Sequence, residues 1–244
     1  MCESWARVFN RTEKKGTERR TETRTMDTIQ TPNRTLLQDI PDNETAKRAV
    51  EVALAGGHAI LFIYQPSAPG VELLHAAENM AKDAGIAFQG LAALPCPCGC
   101  FGVLTEPCSC SLRRIMGHWR RLAKRVAGYD MAVEVLPPWG KTVRRGDDEE
   151  QLMERVRRAR AFAGLTDTSL SQTCLEYLEM YARQFGSLRI PQIKDIAATV
   201  CRMDGSTRIQ PNHLMEGIHY QWFWHGQQRL LGETVTPKAV TVGA

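Results

Sequence analysis

The sequence predicts an α/β fold, a small parallel sheet covered by helices and followed by a helical C-terminal region. Three observations carry that prediction. The run AILFIY at 59–64 is short, unbroken and apolar, as a parallel strand buried on both faces must be. Two more strand-like runs follow at 86–94 and 131–136, and helical periodicity separates each from the one before. Beyond residue 147 the remainder of the chain reads as helical.

Composition sets the outer bounds. With 244 residues, 43% hydrophobic and 24% charged, the chain can bury one large core or two small ones. Its net charge of +4 is too small by itself to demand a nucleic-acid partner. No apolar run approaches the roughly 20 residues of a membrane-spanning helix, so a cytoplasmic protein without a membrane partner is expected.

Residues 1–35 form the first expected unit, a disordered tail rich in Arg, Lys, Glu and Thr. Glu13, Glu18 and Glu22 argue against a transit peptide, and Met26 is an alternative start. An α/β core is expected over 36–138, a helical domain over 139–226 and a flexible tail over 227–244.

In the core, Asp42 or Asn43 is placed to cap a helix whose Ala46, Ala49, Val50, Ala53 and Leu54 share one face, and Gly56-Gly57 ends it. The strand at 59–64 leads through QPSAPG into a helix over 71–84. A phosphate-binding loop would sit at this strand–helix junction. Its chemistry is missing, because Pro69 lacks an N–H, Gly70 stands where a Lys is needed and Val71 where a hydroxyl is needed.

The second strand runs into five of the eight cysteines within fifteen positions. Two Cys-x-Cys pairs flank a nine-residue loop, so Cys96, Cys98, Cys108 and Cys110 are candidate ligands for tetrahedral Zn²⁺. Cys100 is spare or an alternate ligand. An iron–sulfur cluster and uncoordinated thiols are the other readings; a disulfide framework fits a chain of this length poorly.

Ser111 then caps a two-faced helix. Leu112, Ile115, Met116, Trp119, Leu122 and Val126 form its apolar stripe, while Arg113, Arg114, Arg120, Arg121, Lys124 and Arg125 supply cations. No acid occurs between Glu106 and Asp130. Those six residues are candidates for contacting nucleic acid or another anionic partner; the plainer reading is a solvated helix face.

A third strand at 131–136 stops at Pro137-Pro138, and 139–146 has the composition of a linker. Four helices are expected after it, a bundle over roughly 147–160, 169–185, 191–203 and 211–224. The first opens with four acids at 147–150 and carries Arg155, Arg157, Arg158 and Arg160 toward its other end, as the helix dipole favours. Cys174 and Cys201 fall on apolar faces as packing residues.

Several of these segments, taken in order, resemble the magnesium-chelatase-like AAA+ proteins of the ComM/YifB type. The resemblance is carried by AKRAVEVALAGGH at 46–58, Phe88-Gln89, PCPCG at 95–99, Cys108-Ser109-Cys110, Val133-Glu134-Val135 and DGSTRI at 204–209. It covers roughly 36–221, and the cysteine motif is its most specific part. It implies an AAA+-like core with a helical lid, and an ATP-driven motor of the chelatase or DNA branch-migration class.

The chain departs from that pattern wherever catalysis would sit. Tyr64, Gln65, Pro66, Ser67, Ala68, Pro69, Gly70 and Val71 occupy the positions of the Walker A motif without its Lys or Thr. The family's candidate sensor Asn, which precedes the cysteines, is replaced by Leu94 or deleted, and Gly128 aligns with an Arg, although Asp130 is kept. The region that would carry the Mg²⁺-binding carboxylates is absent between Leu74 and Ile86.

Losing those groups together removes the charge neutralisation on which phosphoryl transfer depends, so no catalytic residue and no ATPase activity are expected. Removing strands two and three from an AAA+ sheet of order 5-1-4-3-2 would leave 5-1-4, a reduced three-stranded parallel sheet. The resulting expectation is a non-catalytic, zinc-stabilised module that binds nucleic acid or protein, with DNA or a full-length AAA+ homologue as partner and an oligomer allowed. The alternative is an ATP-binding AAA+ subunit working beside competent partners.

Overall fold

A computed structural model describes residues 34–102, 107–138 and 147–231, the side chains of 165 and 227–231 apart. The central strand β1 (Ile60–Tyr64) sends Ile60 and Phe62 into one apolar layer and Leu61 and Ile63 into another. It pairs in parallel with β2 (Gly90–Ala93) and with β3 (Met131–Val135), giving the order β2-β1-β3. That is the α/β class and the reduced parallel sheet the sequence predicts. β2 is shorter than the expected 86–94, since its pairing with β1 runs only from Gly90 to Ala93.

Helices α1 (Glu44–Gly56) and α2 (Gly70–Asp83) cover one face and α3 (Leu112–Arg125) covers the other. Travel from β1 to β2, and then from β2 past β1 to β3, runs in opposite directions along the sheet. Crossovers of one handedness must therefore place α2 and α3 on opposite faces. The carboxyl ends of β1 and β2 lie side by side, so the 65–69 loop and the cysteine loop leave the same edge of the sheet.

Asn43 does not cap α1 as expected. It adopts a left-handed conformation with φ of 60°, and its side-chain amide both donates to Leu136 O (3.0 Å) and accepts from Leu136 N (2.9 Å). The side chain thus extends the pairing of β3 by one residue, which holds the start of α1 to the end of that strand.

The segment 139–146 lies outside the described residues. After it come α4 (Glu149–Ala161), α5 (Gln172–Phe185), α6 (Ile190–Met203), α7 (Pro211–His219) and α8 (Trp222–Leu231). Packing is continuous with the sheet. Leu152, Met153 and Val156 of α4 and Ile196, Val200 and Met203 of α6 enter the same apolar layer as α1 and α2. The other side of α6 meets Cys174, Leu178 and Leu214 in a second cluster, and Cys174 and Cys201 are buried there as packing residues.

Ion pairs reinforce the joint. Glu51 on α1 is buried between Arg48 and Arg155 of α4, and Arg48 also reaches Glu216 of α7 at 3.1 Å. Arg160 donates to Leu54 O at 3.0 Å, at the carboxyl end of α1. Two of the four C-terminal arginines singled out above therefore bind α1 and do more than complement their own helix dipole.

The helix expected over 211–224 is broken at Tyr220-Gln221. Tyr220 O accepts from Ala132 N (2.9 Å) and Gln221 Nε2 donates to Asp130 O (3.0 Å), so the break satisfies the outer edge of β3. The second piece, α8, continues through 227–231, where a tail was expected to begin. A two-stranded parallel pair, β4 (Asp167–Leu170) with β5 (Arg208–Ile209), was not expected either. Of its residues only Ile209 is fully buried, so no alternation marks it in the sequence. Among the described residues no helix is long and apolar enough to cross a membrane.

Candidate metal centre and the basic helix beside it

The cysteine loop departs from β2 and closes where α3 begins. Gly99 sits at φ of +84°, and a Cβ there would lie 2.5 Å from Pro66 Cγ, so only glycine lets the loop turn against the 65–69 segment. The turn brings Cys96, Cys98, Cys108 and Cys110 together, with all four sulfur atoms within 4.8 Å of one another. Individual separations are 3.3 Å for Cys96–Cys98, 3.5 Å for Cys98–Cys108 and 3.7 Å for Cys96–Cys108.

Those distances discriminate between chemistries. A disulfide needs sulfur atoms about 2.05 Å apart. A tetrahedral ion with metal–sulfur bonds of about 2.3 Å needs them about 3.8 Å apart. The thiols are therefore spaced to share a single metal ion, and are too close together to surround a multi-iron cluster. Cys100 stands outside the group and donates to Cys98 O at 3.6 Å.

Backbone N–H groups complete the arrangement. The Cys100 N–H points at the Cys98 sulfur, and together with the Cys96 thiol and the Ser109 N–H it holds the Cys98 thiol down at about 5. At Cys108 the Cys110 N–H favours the thiolate, but burial and the crowding sulfur atoms of Cys98 and Cys96 outweigh it and push the thiol up to about 12. Burial first, and then the same neighbours, raise Cys110 against an N–H from Cys98. Four crowded thiols cannot all ionise without a cation between them.

No protein-family model matches this chain, and no curated protein matches it. What the molecule does must be argued from its own geometry.

Helix α3 is fastened at two points to the backbone that leads into the cysteine loop. Trp119 Nε1 donates to Pro95 O at 2.7 Å, and His118 Nε2 lies 2.8 Å from Leu94 O; a carbonyl only accepts, so that nitrogen carries the proton. Ser111, directly after Cys110, accepts from Arg114 N and caps the helix. Beneath it, Trp119 stacks on Phe223 of α8 with ring centres 5.0 Å apart and meets Phe101 of the cysteine loop edge-on. The bonds of His118 and Trp119 have no signature in the sequence, because both partners are backbone carbonyls 24 residues away.

Ile115, Trp119, Leu122 and Val126 are buried as the periodicity requires. Leu112 is a correction to the expected stripe, for it is 61% exposed one residue after the cap. Arg113, Arg114, Arg120, Arg121, Lys124 and Arg125 are all exposed, and none pairs with an acid among the described residues. Without these six, the chain's net charge of +4 would become −2. Positive charge is thus concentrated on one helix.

At the neighbouring loop, Tyr64, Gln65, Pro66, Ser67, Ala68, Pro69, Gly70 and Val71 do not form a phosphate cradle. The Ala68 N–H is spent on Gln65 O and the Gly70 N–H on Ala68 O, both at 2.9 Å, and Pro66 and Pro69 have none to offer. Gly70 is needed because Tyr64 lies over it, with Cβ to Cβ only 2.4 Å if alanine replaced it. Asp130 accepts from Ala59 N at 3.0 Å and so positions the start of β1.

Proposed function

We propose that the chain is a non-catalytic binding module in which one Zn²⁺, held by Cys96, Cys98, Cys108 and Cys110, fixes the cationic helix α3 for an anionic partner. The observation that carries this reading is the convergence of four sulfur atoms within 4.8 Å at the root of that helix. Four soft ligands in tetrahedral spacing suit zinc, and a closed set of four leaves no position for a reacting water, which is the pattern of a structural site.

The absence of a working phosphate loop supports the non-catalytic part, and the β2-β1-β3 order fits a shortened core of the magnesium-chelatase-like AAA+ kind. The test is the metal content of protein purified without added metal, read by elemental analysis with melting before and after chelation. About one zinc per chain is expected, with a melting temperature lowered by about 10 °C or more on chelation. C96S and C108S should lose the metal while C100S keeps it. Absence of metal, iron in place of zinc, or full retention in C96S would overturn the proposal.

A further inference from the structure

We infer that the exposed face of α3 is a docking surface for the phosphate backbone of double-stranded DNA, with Gly117 as the point of closest approach. The inference rests on the proposed role of α3 and names its partner. On a helical projection the six cations fill an arc of about 140°, opposite the buried stripe, along about 18 Å of helix. Gly117 lies at the centre of that arc, one turn from Arg113 and Arg114 on one side and Arg120 and Arg121 on the other.

A glycine in mid-helix needs a reason, since only proline is a worse helix former. Gly217 of α7 has one: a Cβ there would meet Ile193 O at 2.8 Å. Gly117 has none among the described residues. A methyl group at that position would have as its nearest neighbour the tip of Arg121 at 3.6 Å, an exposed and flexible side chain. A backbone position without a side chain, ringed by cations that pair with no acid among the described residues, lets an anionic strand lie against the helix while the arginines close over it from both sides.

Duplex DNA fits this face better than the other polyanions. Unpaired nucleic acid needs exposed aromatic rings to stack its bases, whereas Phe101, Trp119 and Phe223 pack against one another beneath α3. The helix carries no Ser, Thr, Asn or Gln, the uncharged groups that would reach 2′-hydroxyls across an RNA minor groove or read adenine edges. What remains is charge and close approach, which suits DNA binding without sequence preference.

The test is fluorescence-anisotropy titration of the full chain with a DNA duplex of about two helical turns over a range of salt, against the single strand, an RNA duplex and polyglutamate. Zinc is measured in the same samples. DNA duplex is expected to bind at least tenfold more tightly than each of the others, with affinity falling steeply as salt rises. R120A/R121A should reduce the logarithmic salt slope by about 2.

G117L is the decisive variant. Leucine favours the helix, and among the described residues its Cβ would have only the tip of Arg121 within 4 Å, so the melting temperature should rise while duplex affinity falls about tenfold at an unchanged salt slope. A merely structural glycine would not move the two in opposite directions. Unchanged affinity in G117L, or equal affinity for the duplex, the single strand, RNA and polyglutamate, would overturn the inference. Zinc-loaded protein that binds no duplex would overturn it while leaving the metal proposal standing; metal-free protein would sink that proposal instead.

Discussion

His58 is a buried imidazole with a defined proton. Thr199 Oγ1 donates to Asp195 O at 3.1 Å, so it accepts from His58 Nε2, 2.8 Å away, and from Arg202. Burial, opposed by Asp130 and Asp195 and reinforced by Arg202, lowers the pKa of His58 below the ordinary histidine value. The unfolded chain therefore takes up a proton near pH 6.5 that the folded chain resists, and stability must fall as pH drops through that point. Urea midpoints between about pH 7.5 and 5 should show this acid limb in the wild-type protein. H58Q, which keeps a donor but cannot titrate, should flatten it; an identical limb in H58Q would refute the assignment.

At the scale of the element, α3 and the cysteine loop behave as one unit. Trp119 joins them by its bond to Pro95 O and by its contacts with Phe101 and Phe223. W119F keeps aromatic packing but leaves a buried carbonyl without its donor. A loss of about 1–2 kcal/mol in stability is expected, measured by denaturant titration. Zinc affinity should also drop about tenfold, because Pro95 positions the first ligand, and competition with a chromophoric chelator would read that change. Wild-type zinc affinity in W119F would show that helix and metal loop are independent.

For the molecule as a whole, the loop at the end of β1 is where a nucleotide's phosphates would have to be held. Its free N–H groups are few, its glycine is covered by Tyr64, and the Lys and hydroxyl of a nucleotide site are missing. Millimolar Mg-ATP should therefore leave the melting temperature unchanged, where a ligand at a hundred times its Kd would contribute about 2.7 kcal/mol. A reproducible rise of several degrees would restore nucleotide binding as a function. The C-terminal helices are no appendage to the sheet. Glu51, Arg155, Arg48 and Glu216 tie α1 to α4 and α7, and α6 is buried on both sides.

The apolar run at 59–64, the helical stripe of Ile115, Trp119, Leu122 and Val126, and the two Cys-x-Cys pairs were legible in the sequence by itself. Each is a local pattern in which spacing alone states which face is buried or which atoms can converge. Tertiary structure alone decided the rest. Asn43 bonds Leu136, Trp119 bonds Pro95, and the chain breaks at Tyr220 to serve Ala132, all across separations that leave no periodic trace. Gly117 became informative only when its surroundings proved open. The physical reason is common to them all: periodicity records which side of an element avoids water, whereas hydrogen-bond partners and empty space are set by what the completed fold brings alongside.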